Sequence, residues 1–154
     1  MLTTKPVIGV LLGDPTGIGP ELVAKLVAEP EMCEQAEMVI IGDYRIFEVG
    51  QKIAKTSTKV SLVSNFEDIC FQPGQPVFLD FPTLDPGEVE IGKIDPKAGK
   101  SVLDTLLYSI NLAKQGKIDG FVFAPFNKRA MHLCGCPFES ELDLFKTDNR
   151  INAS

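Results

Sequence analysis

Histidine is nearly absent: the 154 residues contain one, His132. A His-rich metal centre therefore cannot be assembled from this chain alone. Cysteine is scarce as well, and Cys33, Cys70, Cys134 and Cys136 suggest no disulfide framework. Cys134-Gly135-Cys136 is a CxC, and no second ligand pair follows at zinc-site spacing, so reduced and mostly packed thiols are expected. Positive charge is in deficit. Fifteen Lys and Arg against 21 Asp and Glu leave a net charge of −6, which excludes a surface for duplex nucleic acid but permits a local basic pocket for one small anion. No apolar run approaches the roughly 20 residues that a membrane-spanning helix requires. Met1 to Pro6 leads straight into a strand pattern without a signal peptide's cleavage region, and a cytoplasmic location is the expectation.

What is present is enough apolar material for a core, 44% of residues, in a length that suits one domain or one compact half of a larger protein. Val7–Leu12 is short, branched and continuous, as in a buried strand. A helix follows from near Pro20, with Leu22, Val23, Leu26 and Val27 on one face, and Pro30 stops it. Met38–Asp43 has a second strand's pattern and Tyr44–Ala54 a helix's. Val60–Val63 and Pro76–Phe81 are further strand candidates, and Leu84–Ile94 an extended, exposed excursion. The clearest helix is Asp95–Gln115, with Asp95 as cap, Pro96 at its first position and Gly116 closing it in a left-handed conformation. Phe121–Ala124 is the next strand and Asn127–Leu133 a short helix. Glu141–Lys146 has the makings of another helix. Strands that alternate with helices, each strand buried on both faces, predict a parallel α/β sheet. Residues 147–154 are polar and aperiodic, an irregular tail, and the pattern as a whole looks incomplete.

Two stretches carry chemistry. The first is GDPTGIGPE, Gly13–Glu21, directly after the first strand. A nucleotide-phosphate loop would need Lys and then Ser or Thr after the last glycine, and here Pro20-Glu21 follows. The dinucleotide fingerprint fails for want of a third glycine where helix meets strand. Either the glycines merely supply a tight turn, or Asp14 and Thr16 sit at a strand's carboxyl end, where open α/β sheets bind ligands. The second stretch is Ala124-Pro125-Phe126-Asn127-Lys128, again just after a strand. Asn127 can cap the following helix, and Lys128 lies in its first turn. A lysine there is electrostatically uncomfortable beside the positive helix end unless an anion shares the site; a solvated surface lysine is the alternative. His132, four residues on, is either a packed or surface residue or a ligand.

These residues resemble the 4-hydroxythreonine-4-phosphate dehydrogenase (PdxA) family of vitamin B6 synthesis. The family's GDPAGIGPE loop corresponds to Gly13–Glu21, its TAPINK segment to Phe123–Lys128 and its ALHxAG stretch to Ala130–Gly135. Order, spacing and the intervening helix agree over residues 5–146, which makes 1–146 the N-terminal portion of such an enzyme. The resemblance implies a three-layer α/β/α fold like that of isocitrate and isopropylmalate dehydrogenases. It implies oxidation, with decarboxylation, of a small phosphorylated hydroxy acid by NAD or NADP with a divalent metal, in a homodimer. The substrate contacts it implies are Asp14, Asn127, Lys128, Glu141 and Leu142.

There are departures. Where the family carries Gly-His-Thr-Glu, this chain reads Ser140-Glu141-Leu142-Asp143, so a His and a Thr that contact substrate map onto Glu141 and Leu142. That change points toward the side branch acting on threonate or erythronate 4-phosphate, although Glu141 also suits an exposed helix start. The family is about twice this length, and its metal-binding histidines and nicotinamide-binding region lie beyond residue 154. The chain is therefore expected to be inactive alone, with its catalytic and cofactor-binding residues unassigned. The competing reading is a non-catalytic α/β module that binds an anion or a partner chain; an NTP-binding role for the glycine loop is the least favoured.

Overall fold

The computed structural model describes residues 4–146. Five strands alternate with helices: β1 (Val7–Leu11), α1 (Gly19–Ala28), α2 (Pro30–Gln35), β2 (Glu37–Gly42), α3 (Tyr44–Ala54), β3 (Ser61–Val63), β4 (Val77–Asp80), α4 (Pro96–Lys114), β5 (Gly120–Phe123), α5 (Lys128–Leu133) and α6 (Glu141–Lys146). The sheet is parallel throughout, in the order β3-β4-β2-β1-β5. Leu11 is level with Ile41 on one side and Phe123 on the other, so the exits of β1, β2 and β5 share one edge.

Alternation along the strands sends side chains to two cores. Val10, Ile40 and Phe78 pack under α1 and α3 against Val23, Val27 and Phe47. Leu11, Ile41 and Leu79 face the other way, onto Val102, Leu106 and Ile110 of α4. The result is three layers, an α/β fold of the expected kind. β1 to β2 runs one way across the sheet with its helices on one face. β4 to β5 runs the opposite way with α4 on the other face, as right-handed crossovers require.

Helix ends follow the anticipated chemistry. Asp95 accepts from the Lys97 amide at the start of α4, Asn127 from the Ala130 amide at the start of α5, and Gly116 closes α4 at φ +67°. Pro30 does end α1, but the chain re-enters helix at once: Glu29 is extended and Pro30 opens α2, a helix the sequence pattern missed. The excursion after β4 is largely exposed as expected, with Leu84 buried and Gly92 donating to the Thr16 carbonyl. The anticipated irregular tail, 147–154, lies outside the described residues.

One expectation fails. Not every strand is buried on both faces: β3 is half-exposed, and on β5 both Val122 and Phe123 are exposed. These two are the sheet's outer strands. Leu22, expected in the core stripe of α1, is likewise 42% exposed, because α1 connects β1 to β2 and so its flank toward β5 has no neighbour among the described residues.

Helices α4 and α5 approach each other closely at Gly99, where an added Cβ would stand 2.1 Å from the Ala130 carbonyl oxygen. That contact is backbone and cannot swing aside. Gly99→Ala is expected to destabilise by about 1–3 kcal/mol despite alanine's better helix propensity. Gly120→Ala, where a Cβ meets nothing within 4 Å, should stay within about 0.5 kcal/mol. Urea unfolding midpoints compare the two directly.

Candidate functional site

Because β1 leads to α1 on one face and β5 to α5 on the other, their exits diverge at the carboxyl edge. Such a divergence in an open α/β sheet makes a crevice where ligands bind. The Asp14 amide closes its floor by donating to the Pro125 carbonyl at 3.0 Å, tying the glycine loop to the Asn-Lys corner. Gly13 has to be glycine here. Its φ is +73°, and a Cβ would lie 2.6 Å from the Ala124 and Pro125 carbonyl oxygens.

The side chain of Asp14 is spent within its own turn. It is buried, and its Oδ1 accepts from both the amide and the hydroxyl of Thr16, each at 2.8 Å. The Asn127 carboxamide oxygen caps α5. Lys128 is exposed at the first turn of that helix, and with His132 one turn later it lines a small hollow floored by Leu106, Phe126 and Met131. Asp14, Asn127 and Lys128 thus share one end of the sheet, but two of the three work as scaffolding. Glu141 and Leu142 open α6, which Ser140 caps by accepting from the Asp143 amide; their side chains lie outside the described residues.

The sequence reading overlooked Asp43, the strongest polar centre of this edge. It lies at the end of β2 with its carboxylate almost wholly enclosed, and it accepts from the Arg45 amide, Nε and Nη2. It accepts as well from the Thr83 and Leu84 amides, which belong to the exit of β4. Asp80, at the end of β4, returns the favour by accepting from the Tyr44 amide. A signal was available: Gly13-Asp14 and Gly42-Asp43 are the same dipeptide at two strand ends. Ser101 and Thr105 of α4 complete the region. The Ser101 hydroxyl lies 2.5 Å from that of Thr83, and the Thr105 hydroxyl donates to the Ser101 carbonyl.

Burial by itself would raise the Asp43 pKa, but the hydrogen bonds from Arg45, Leu84 and Thr83 outweigh it and hold the carboxyl below its ordinary value. The same contact, together with the charge of Asp43, raises the pKa of Arg45.

The hollow lined by Gly13, Gly42, Asp43, Ser101, Thr105 and Phe126 has a volume of about 20 Å³. That is room for a water molecule, whereas small-molecule sites are on the order of 300 Å³ or more. Among the described residues, no group of three or more His, Cys, Asp or Glu side chains is placed to hold a metal ion. This hollow is too small for a dinucleotide, and a ligand at this point of the edge would meet its outer rim.

Comparison with known proteins bears on the same segments. The profile of a family described as "Pyridoxal phosphate biosynthetic protein PdxA" matches residues 34–153, a stretch that begins after the glycine loop. A Pasteurella multocida protein provisionally named 4-hydroxythreonine-4-phosphate dehydrogenase is 38% identical over 151 residues, covering 97% of this chain and 45% of its own length. A Clostridium botulinum protein provisionally named D-threonate 4-phosphate dehydrogenase is 30% identical over 131 residues, 85% of this chain and 39% of its own. The crystal structure of a 4-hydroxythreonine-4-phosphate dehydrogenase from Burkholderia phymatum superposes with a TM-score of 0.85 at 26% identity, covering 94% of this chain and 44% of that one. The chain spans less than half the length of each of these relatives.

Asp43→Asn keeps the shape but loses an acceptor oxygen facing several N–H groups, and is expected to cost about 2–4 kcal/mol at pH 7. The folded pKa of Asp43 is depressed below its ordinary 3.8, so its contribution is complete above that value and is lost as the pH falls through the lower folded one. The stability gap between the parent chain and Asp43→Asn should therefore be flat from about pH 5 upward and shrink below about pH 4. Denaturant titrations across that range would show it.

Proposed function

The chain belongs to the family of pyridoxal phosphate biosynthetic protein PdxA, and from that premise we propose that it forms the N-terminal portion of a dehydrogenase acting on a phosphorylated four-carbon hydroxy acid. The observation that carries the proposal is the joint placement of the glycine loop and the Asn-Lys corner. Two segments more than 100 residues apart are bonded into one wall at the carboxyl edge of the sheet. In this reading Lys128 meets the substrate's anionic end, aided by the first turn of α5. Asp14 and Asn127 act by holding the wall in shape, since their side-chain oxygens already accept backbone N–H groups. Glu141 and Leu142, at the start of α6, are the positions where this chain departs from the family's His-Thr, and in this reading they bear on which family branch's substrate is taken.

The relatives' names favour two substrates, 4-hydroxythreonine 4-phosphate and threonate 4-phosphate. The replacement of His-Thr by Glu141-Leu142 favours the second, because an imidazole and a hydroxyl have given way to a carboxylate and an apolar branch. The redox chemistry requires NAD or NADP as hydride acceptor, and a divalent cation would polarise the carbonyl that develops. Residues able to hold either group would come from the part of the relatives that this chain does not span. A homodimeric assembly belongs to the same proposal.

The test is NAD(P)⁺ reduction with threonate 4-phosphate and a divalent cation. The chain alone should show no turnover. Combined with the part of the Pasteurella multocida relative outside the matched 45%, it should gain activity. Lys128→Ala in that mixture should raise KM about tenfold or more, the worth of a charge-assisted contact. Robust turnover by the chain alone would show that the oxidising apparatus has been misplaced.

A further inference from the structure

Two of the four thiols flank a single turn. α5 ends at Cys134, and Gly135, at φ +90°, folds the chain back toward Cys136. The Gly135 amide donates to the His132 carbonyl and the Cys136 amide to that of Met131, the paired closure that follows many helices. The same Met131 carbonyl accepts from the Cys134 thiol at 3.0 Å, which holds that sulfur beside the Cys136 amide. Residues two apart have Cα atoms at most about 7 Å from each other, and a turn shortens that toward the roughly 4.4–6.8 Å that disulfides span. In the stretch that corresponds to the family's ALHxAG, Cys134 stands where the second alanine would be, so the pair is a feature of this chain.

The two sulfurs differ in access. Cys136 is buried and lines the hollow of Lys128 and His132, whereas Cys134 is half-buried. Cys134 opens into a groove of about 490 Å³ between the exit of β4 and the first turns of α4. Small-molecule sites are on the order of 300 Å³ or more. Lys97 and Lys100, neighbours on α4, face one carboxylate in the groove, Glu88. Lys100 is bound to Asp104, but Lys97 stands 4.0 Å from Glu88, too far for a hydrogen bond, and both lysines are more than half exposed. An accessible thiol beside a second that can resolve it is the arrangement found in redox-sensing cysteines.

We propose that Cys134 and Cys136 are a redox pair, oxidised by a small anionic disulfide of the glutathione type that the Lys97–Lys100 groove admits. The Cys134 sulfur attacks one sulfur of the reagent, releases its proton to solvent and expels one small thiolate. The Cys136 sulfur then attacks Cys134 in the mixed disulfide, releases its own proton and expels the second thiolate. Two protein thiols become one disulfide, and the reagent is reduced to two thiols. The cross-link draws the Cys136 sulfur away from the wall that carries Lys128 and His132. None of this depends on the dehydrogenase reading above.

The experiment exposes the reduced 154-residue chain at neutral pH to oxidised glutathione, which is anionic, and to cystamine, which is cationic, and maps the products by mass spectrometry. Glutathione should yield a Cys134–Cys136 disulfide while Cys33, as buried as Cys136 at 6% exposure, stays reduced. Exposed Cys70, which follows Glu67 and Asp68, should stop at a mixed disulfide. Lys97→Glu should slow the glutathione reaction at Cys134 about fivefold, the worth of a unit charge at close range in water, and leave cystamine no slower. Cys136→Ala should halt the reaction at the adduct on Cys134. Thermal unfolding checks both variants, and the parent's own product map decides if Cys136→Ala melts early. A glutathione adduct that persists on Cys134 in the parent overturns the proposal. So does oxidation that takes in Cys33 together with Cys136, or a rate at Cys134 indifferent both to Lys97→Glu and to the reagent's charge.

Discussion

Backbone N–H groups at the carboxyl edge of a parallel sheet need acceptors, and in this chain aspartates at the strand ends supply them. Every strand delivers its exit to the same edge, and the exits then separate toward opposite faces. Loops that part in this way cannot satisfy one another by regular pairing. Asp14 closes the turn after β1, Asp43 gathers amides from the exits of β2 and β4, and Asp80 holds the first amide of α3. Buried carboxylates are expensive unless they are met by donors, and the two buried ones, Asp14 and Asp43, are met. The edge that would face a ligand is consequently stiff before any ligand arrives.

That stiffness changes what the acidic residues can be asked to do. A carboxylate that already accepts two or more N–H groups is a poor partner for an incoming hydroxyl and an obstacle to an incoming phosphate. Cations stand at the rim as well, Lys128 at one exit and Arg45 at another, the latter bound to Asp43 and 3.4 Å from Asp85. In the proposed reading the outer charges would meet an anionic metabolite, while the inner ones keep the loops in place. The hollow between the exits of β1 and β2 and helix α4 is water-sized.

Much of this was legible in the residues. Continuous branched runs marked the inner strands β1, β2 and β4, and caps at Asp95 and Asn127 located two helix starts to within a residue. Asp14, Asn127 and Lys128 were placed at a common edge by the rule that parallel strands exit together. Asp43 was missed because its partners, Thr83 and Leu84, are forty residues away and are drawn in by topology rather than by any local motif. The exposure of Val122 and Leu22 was missed for a related reason. Composition reports what a strand or helix flank is fit to bury and does not say whether a neighbour is there to bury it.

Hydrogen exchange read amide by amide on the native chain addresses the stiff edge most directly. The amides of Asp14, Thr16, Thr83 and Leu84 should exchange as slowly as those in the interior of β2, although they lie in loops. Exchange at the rate of the exposed turns around Gly74 would mean that the strand-end carboxylates do not hold the exits together, and the wall built from them would not exist.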